Sequence, residues 1–213
     1  MIYRHDMSPT TLEVQNLAKS YGGGVPLFSG LTFLVETGLT AIQGRNGSGK
    51  TTLIKILSSL LRPSAGRVRL RLGDRELAGD EKRLAIGWAG LDLAFYEDFS
   101  ARENLAFFRR AAGQPAPPRE IDALLAGVGL VQAANQRVGA FSTGMKQRLR
   151  IAFAVLFDPP ILLLDEPMAG LDAEGRQIVQ AVIGQRRRSG AVVLASNDER
   201  DFVEPEQVVA LGR

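Results

Sequence analysis

The run Gly44-Arg45-Asn46-Gly47-Ser48-Gly49-Lys50-Thr51-Thr52 constrains this chain more than any other segment. It follows a short apolar stretch, Leu39–Gln43, and precedes a helical pattern over Lys50–Leu61. Glycines let a backbone wrap closely, so that successive N–H groups point inward as an anion nest. The N-terminus of the following helix adds partial positive charge to the same place. The spacing G-x-x-x-x-G-K-[ST], between a strand and a helix, predicts a loop that cradles a phosphate chain. Lys50 is placed to reach the outer phosphates, and the Thr51 hydroxyl is placed to bind Mg²⁺. A chance glycine-rich turn is the competing reading, and the flanking strand and helix argue against it.

A second segment, Ile161-Leu162-Leu163-Leu164-Asp165-Glu166-Pro167, fits the first. A continuous apolar strand delivers two carboxylates at its C-terminal end, where open α/β sheets bind ligands. Asp165 is the natural Mg²⁺ partner. Glu166 is placed to orient or deprotonate an attacking water. By itself the pair could also cap a turn before Pro167.

Composition removes whole classes of chemistry. Among 213 residues there is no cysteine and one histidine, His5. Disulfides, thiolate nucleophiles and cysteine-ligated metals are excluded. His5 sits in a terminal tail, so histidine is not expected to act as base, ligand or pH switch. The net charge of +3 is a small excess. Arg67, Arg69 and Arg71 alternate as on the solvent face of a strand. Arg186-Arg187-Arg188 is expected to be a solvated, dipole-complementing helix end. An acidic-lipid or nucleic-acid surface is the alternative for both groups. No apolar run reaches the ~18 residues needed to cross a bilayer. Met1–Asp6 lacks the apolar core of a signal peptide, so the expected location is cytoplasmic.

Strand patterns are read at Leu12–Leu17, Leu31–Glu36, Leu39–Gln43, Val68–Leu72, Arg83–Trp88, Ile161–Leu164, Ala191–Ala195 and Gln207–Leu211. Helical patterns cover Lys50–Leu61, Ser142–Phe157 and Asp172–Arg188. Strands toward the ends with helices between predict an α/β sheet. Residues 91–157 differ. They carry helical Arg102–Ala112 and Glu120–Ala126 around the break Gln114-Pro115-Ala116-Pro117-Pro118. A helical subdomain, residues 91–157, is expected to interrupt a core formed by 1–90 and 158–213.

With these pieces in place, Phe141-Ser142-Thr143-Gly144-Met145-Lys146-Gln147-Arg148 resembles the signature sequence of ABC-type ATPases. It precedes the Asp-Glu pair at that family's spacing. Tyr21 is similar to the aromatic that stacks on adenine. Met168-Ala169-Gly170-Leu171-Asp172 resembles the segment that follows the Asp-Glu pair. The resemblance spans nearly the whole chain. It implies one domain of P-loop NTPase type, with an antiparallel β portion and the helical insertion. It implies ATP and Mg²⁺ as cofactors, and a head-to-tail dimer, expected to be a homodimer, with ATP sandwiched between subunits. Ser142, Thr143, Gly144 and Met145 would then meet the nucleotide of the second subunit, and Asp172 would lie at the dimer interface. Ser142 and Asp172 also suit helix N-caps, and Tyr21 suits ordinary loop packing; these readings stay open.

Two positions depart from the family's pattern. Where the family has a histidine at the γ-phosphate, this chain has Asn197. Asparagine can donate a hydrogen bond but takes up no proton at neutral pH. Where the family has a glutamine at Mg²⁺ and the lytic water, this chain has Leu91, with Asp92 beside it. Leucine binds no metal; Asp92 could do so if the loop shifts by one residue. Glu166 is retained, so hydrolysis is expected, with slower turnover than in a family member holding both residues.

Phe95-Tyr96-Glu97-Asp98-Phe99-Ser100-Ala101-Arg102-Glu103-Asn104-Leu105 resembles the family's contact region for transmembrane permease subunits. A peripheral position on the inner face of the cell membrane follows from that resemblance. Phe141–Arg148 and Tyr96-Glu97-Asp98 are most similar to exporters of the ABC-2 group. The short length and Leu27-Phe28-Ser29-Gly30-Leu31 resemble haem-exporter ATPases of cytochrome c-type biogenesis. A weakly hydrolysing regulatory subunit and a non-transport ABC ATPase are the alternatives. No nucleic-acid partner is expected.

Overall fold

The computed structural model describes residues 9–22 and 25–212; His5 and the Met1–Asp6 start lie outside the described residues. In chain order the elements begin with β1 (Thr10–Lys19), β2 (Phe28–Val35), β3 (Gly38–Gln43) and α1 (Lys50–Leu57). Then come β4 (Ala65–Leu72), β5 (Arg75–Glu76), α2 (Gly79–Leu84) and β6 (Ile86–Ala89). Three helices follow: α3 (Ala101–Ala111), α4 (Pro118–Gly127) and α5 (Thr143–Ala154). The chain closes with β7 (Ile161–Asp165), α6 (Ala173–Arg186), β8 (Ala191–Ala195) and β9 (Gln207–Ala210).

The strands form two sheets. One is parallel, in the order β6-β7-β8-β3-β9, and the other is antiparallel, in the order β2-β1-β4-β5. In the parallel sheet Ala195 pairs with Asp165 on one side and Ile42 on the other. The C-terminal ends of β7, β8 and β3 therefore lie in a row. That row sets the site, because each functional loop leaves the sheet at the same edge.

The continuous apolar runs are explained by the two faces of this sheet. Leu162, Leu164, Val192 and Leu194 join one buried cluster with Leu105, Ile121, Leu125 and Leu149 from α3, α4 and α5. Ile161, Leu163, Val193 and Ala195 join the other, with Leu53, Ile54 and Leu57 from α1 and Leu12, Val14 and Leu70 from the antiparallel sheet. A strand covered on both faces has no polar side to alternate. Along β1 the alternation slips, because Leu17 is buried and Asn16 is not. The register shifts between Val14 and Leu17, and Asn16 takes a φ of 47°, a conformation asparagine tolerates.

Several local expectations change. Arg83 and Leu84 belong to α2, and the strand starts only at Ile86. Asp80 and Glu81 in the first turn and Lys82 and Arg83 in the last complement that short helix's dipole, a pattern easily read as strand alternation. The helix expected to reach Leu61 ends at Leu57, and Ser59 adopts a φ of 63°. The arginines after α6 are not simply solvated. Arg186 is bonded to Asp158 and the Pro159 carbonyl. Arg187 donates to the carbonyls of Val203 at 2.6 Å and Glu204 at 2.5 Å and to Glu206 at 2.6 Å. These cations tie the helix end to flanking loops. On β4 the exposed arginine face is as expected, with Arg67 bonded to Gln15 and Arg69 and Arg71 near Glu76 and Glu13.

Between β6 and β7 the described residues form α3, α4 and α5 and no named strand. The entry to α3 is tightly made. Ser100 and Glu103 form a reciprocal capping box. Asn104 is fully buried; its side chain accepts from the Tyr96 N–H at 2.9 Å and donates to the Tyr96 and Ser100 carbonyls at 3.0 Å each. It fastens the loop before α3 to the helix. Asn104→Ala is expected to lower stability by about 2–3 kcal/mol, because it removes a fully buried amide that bonds the Tyr96 backbone and the buried Ser100 carbonyl. Chemical denaturation checks this.

Candidate active site

The loop after β3 builds its concavity from glycine. Gly49, the residue before α1, has a φ of 100°, and a Cβ there would meet Leu27 at 2.8 Å. At Gly44 a Cβ would meet Ser48 Oγ at 2.4 Å and the Leu211 carbonyl at 2.6 Å. Neither position accepts a side chain without displacing its surroundings. Because Gly49 offers no side-chain cap, the first N–H groups of α1 are free for a ligand. Ser48 Oγ is buried without a hydrogen-bond partner. A buried hydroxyl with no partner fits a site that a phosphate completes.

Lys50 is 6% exposed. Its ammonium donates to the Gly44 carbonyl at 2.7 Å and to the Asn197 side-chain oxygen. A buried ammonium must be paired. It is satisfied by its own loop and by the segment after β8. Asn197 therefore reaches the phosphate loop, as its place in the sequence predicts, but it presents an acceptor to Lys50.

Asp165 ends β7 and is 4% exposed. Its Oδ1 is buried and has no hydrogen-bond partner. An ionised carboxylate with an orphaned buried oxygen beside the Thr51 hydroxyl fits a bound divalent cation, so the residues present suit Mg²⁺. Burial pushes the Asp165 carboxyl above its usual range, the charge of Asp92 adds to this, and Thr51, Lys50 and Lys55 oppose it. Glu166 is also raised, first by burial and further by Asp165, while Lys50 and the Ser196 hydroxyl pull it down.

Glu166 has a φ of 49°, a costly conformation for a residue with a side chain. It is held there from two sides. Its N–H donates to the Ala195 carbonyl at 2.8 Å, and its own carbonyl accepts from Gln147 at 3.1 Å. Gln147, 1% exposed, also donates to the Pro167 carbonyl at 3.1 Å. Arg150, one turn along α5, bonds Gln147 at 3.0 Å and the carbonyls of Leu91 at 2.9 Å and Leu93 at 3.0 Å. One face of α5 thus braces the Glu166 loop and the Leu91 loop together. Asp92 is paired with the Lys55 ammonium at 2.5 Å, and Leu91 is exposed.

The remaining candidates lie at helix starts. Ser142 caps α5 by accepting from the Met145 N–H at 3.2 Å, and Asp172 caps α6 by accepting from Gly175 N–H at 2.7 Å. These starts adjoin: a Cβ at Gly170 would lie 3.0 Å from Thr143, and one at Gly144 would lie 3.3 Å from the Gly170 carbonyl. Ser142–Met145 and Gly170–Asp172 therefore form one continuous ridge. Tyr21 is exposed, with the Lys19 ammonium 4.9 Å from its ring centre. Arg45, Asn46 and Gly47 are on the exposed rim of the loop, and Thr51 and Thr52 open α1.

The ABC transporter family profile matches residues 29–169. The chain belongs to the ABC transporter family. It is an ATP-binding protein of that family, and such proteins are ATPases. An uncharacterized ABC transporter ATP-binding protein of Bacillus subtilis, YxlF, is 36% identical over 94% of this chain and 67% of its own length. The daunorubicin resistance ATP-binding protein DrrA3 of Streptomyces coeruleorubidus is 36% identical over 88% of this chain, which spans only 60% of that protein. The cytochrome c biogenesis ATP-binding export protein CcmA of Brucella abortus is 36% identical over 87% of this chain and 85% of its own length. The fold matches a bacterial Atm1-family ABC exporter with ATP bound at a TM-score of 0.82, with 23% identity, over 96% of this chain and 37% of that one. It also matches a putative ABC transporter ATP-binding protein from Pyrococcus furiosus at a TM-score of 0.79, with 21% identity, over 94% and 97%.

Gln147, Arg150, Lys55, Ser196 and Asp201 were not singled out from sequence. Gln147 and Arg150 are polar positions on a helix whose apolar face alone was legible, and only burial reveals them.

Because Asp165 is raised, the fold holds its proton more tightly than the unfolded chain does. The contribution of this one group to stability then falls as pH rises through the carboxylate range and stays lower above it. Asp165→Asn is expected to melt a few degrees above wild type near neutral pH without nucleotide, and to lose that advantage as pH falls below the carboxylate range. Thermal melts across pH check this.

Proposed function

We infer that this chain hydrolyses ATP to power export through a transmembrane partner. The observation that carries the hydrolytic reading is the convergence of Lys50, Asp165, Glu166 and Asn197 on one sheet edge. Gly44–Thr52 binds the phosphates through backbone N–H groups, and Lys50 exchanges its carbonyl partners for phosphate oxygens. Thr51 and Asp165 would hold Mg²⁺, which supplies positive charge to the outer phosphates when bound. Glu166 orients a water and takes its proton as the water oxygen bonds the γ-phosphorus and the bond to ADP breaks. Tyr21 stacks on adenine.

The ridge formed by Ser142–Met145 and Gly170–Asp172 suits a second copy of the chain, which would present its nucleotide to the α5 N-terminus. The domain acts as one unit, with residues 91–157 as the helical arm of a core made by 1–90 and 158–213. The partner surface is on that arm. Phe99, Arg102, Ala106, Phe107, Arg110 and Ile121 line a groove of about 290 Å³, and Tyr96 packs beside it against Phe99 and Phe107, with the three ring centres 5.1–6.3 Å apart in tilted and edge-to-face contacts. An exposed groove with aromatic and aliphatic walls suits a short helix from a permease subunit. No helix among the described residues is long and apolar enough to cross a membrane, so a peripheral position on the inner face fits this reading. Of the three sequence relatives above, the cytochrome c biogenesis export protein is matched over the largest share of its own length, which favours a role in cytochrome c biogenesis, with haem as cargo.

Two observations favour a slower enzyme, or a nucleotide-binding regulator. Leu91 is an exposed apolar side chain, and Asn197 is engaged with Lys50. Glu166→Gln is expected to lower kcat by ~10²-fold or more while ATP binding is kept. Equal near-zero rates for both proteins would move the reading to the regulator. Phe107→Glu is expected to abolish co-purification with the permease partner and leave the isolated protein's ATPase rate within about 2-fold, since a surface change far from the chemistry is nearly neutral.

A further inference from the structure

Ser196, the residue after β8, is 2% exposed and has no role in the reading above. Its hydroxyl lies between two carboxylates, 2.6 Å from Asp201 Oδ2 and 3.3 Å from Glu166 Oε2. Its oxygen also accepts from the Asp198 N–H at 3.0 Å. Asp201 is 5% exposed, and its second oxygen accepts from Arg176 at 2.9 Å. Arg176 sits in the first turn of α6, with its N–H on the Asp172 carbonyl at 3.0 Å. A chain of contacts therefore runs from Glu166 through Ser196 and Asp201 to Arg176.

A purely local account covers part of this. The Ser196–Asp198 contact is a common serine turn, and a buried aspartate needs a cation. It does not explain why the hydroxyl is within reach of Glu166. A serine has one O–H to give, so the hydrogen bond is three-centred, with its strong branch on Asp201 at 2.6 Å and its weak branch on Glu166 at 3.3 Å. The turn fixes the oxygen, and Asp201, itself fixed by Arg176, fixes the direction of the hydroxyl. Glu166 then receives the weaker branch of a hydroxyl held in one orientation, while its backbone is already locked on the Ala195 carbonyl and Gln147.

We propose that Ser196, held by Asp201 and Arg176, is a positioning residue that fixes the Glu166 carboxylate for the attacking water. The proposal rests on the hydrolytic reading, and it adds three residues to the hydrolytic machinery. Ser196 touches no substrate; it acts by limiting the rotamers of Glu166. Placing a reacting group within a fraction of an ångström is worth large factors in rate, so loosening it lowers kcat and leaves ATP affinity alone.

The test compares wild type, Ser196→Ala, Ser196→Thr and Asp201→Asn as full chains. Ser196→Ala is expected to lower kcat by ~10-fold or more, with KM for ATP within about 2-fold of wild type. Ser196→Thr restores kcat, because it returns the hydroxyl. Asp201→Asn keeps the volume, folds without Ser196 being touched, and gives an intermediate loss. In single turnovers on a Glu166→Gln background, Ser196→Ala adds no further loss. Positioning is also read without turnover: crystals of nucleotide-free Ser196→Ala are expected to show Glu166 in more than one conformer. A single unchanged Glu166 conformer overturns the proposal, as does a wild-type kcat or an equal extra loss on the Glu166→Gln background. If wild type and Glu166→Gln share the same near-zero rate, the hydrolytic reading fails, and the conformer comparison still decides the proposal.

Discussion

The parallel pairing of β8 between β7 and β3 is the constraint on which the rest depends. Ala195 is in register with Asp165 on one neighbour and with Ile42 on the other. Three loops consequently leave the sheet side by side: the phosphate loop, the Asp165-Glu166 turn and the Ser196-Asn197 segment. A slip of one residue in either ladder would exchange the two faces of β8 and move its loop away from Lys50. The buried apolar faces resist such a slip, because Val192 and Leu194 belong to one cluster and Val193 to the other.

Some polar groups at this edge have partners within the chain and others do not. Lys50 has carbonyl and amide partners, whereas Asp165 Oδ1 and Ser48 Oγ are buried and unpaired. Buried polar atoms without partners cost stability unless a ligand completes them. The fold therefore carries a local strain in hydrogen bonding, and a left-handed Glu166 beside it, at the place where ATP and Mg²⁺ belong in this family. The bracing by Gln147 and Arg150 connects that place to the loop that holds Leu91, and the α3 entry with its aromatic groove lies farther along the same chain segment.

Much was legible in the sequence because local chemistry is diagnostic there. Gly44–Thr52 must be a wrapped loop before a helix, and the apolar run ending in Asp165 must be a strand covered on both faces. The core of every strand but the two-residue β5 was read from the sequence, and helical patterns were read between β6 and β7. What was misread depends on tertiary partners. Arg83 and Leu84 look like strand residues until the charges of α2 are seen as helix termini. Arg186 and Arg187 look solvated until the carbonyls of Pro159, Val203 and Glu204 are found against them.

By itself the sequence determined the nucleotide-binding chemistry, the α/β class and the ABC family pattern, together with its departures at Leu91 and Asn197. Those properties follow from residue type and spacing along the chain. The tertiary structure decided what the departures do: Asn197 faces Lys50, Asp92 is taken up by Lys55, and Ser196 connects Glu166 to Asp201 and Arg176. These are contacts between residues far apart in sequence, and sheet register together with helix packing brings them within reach.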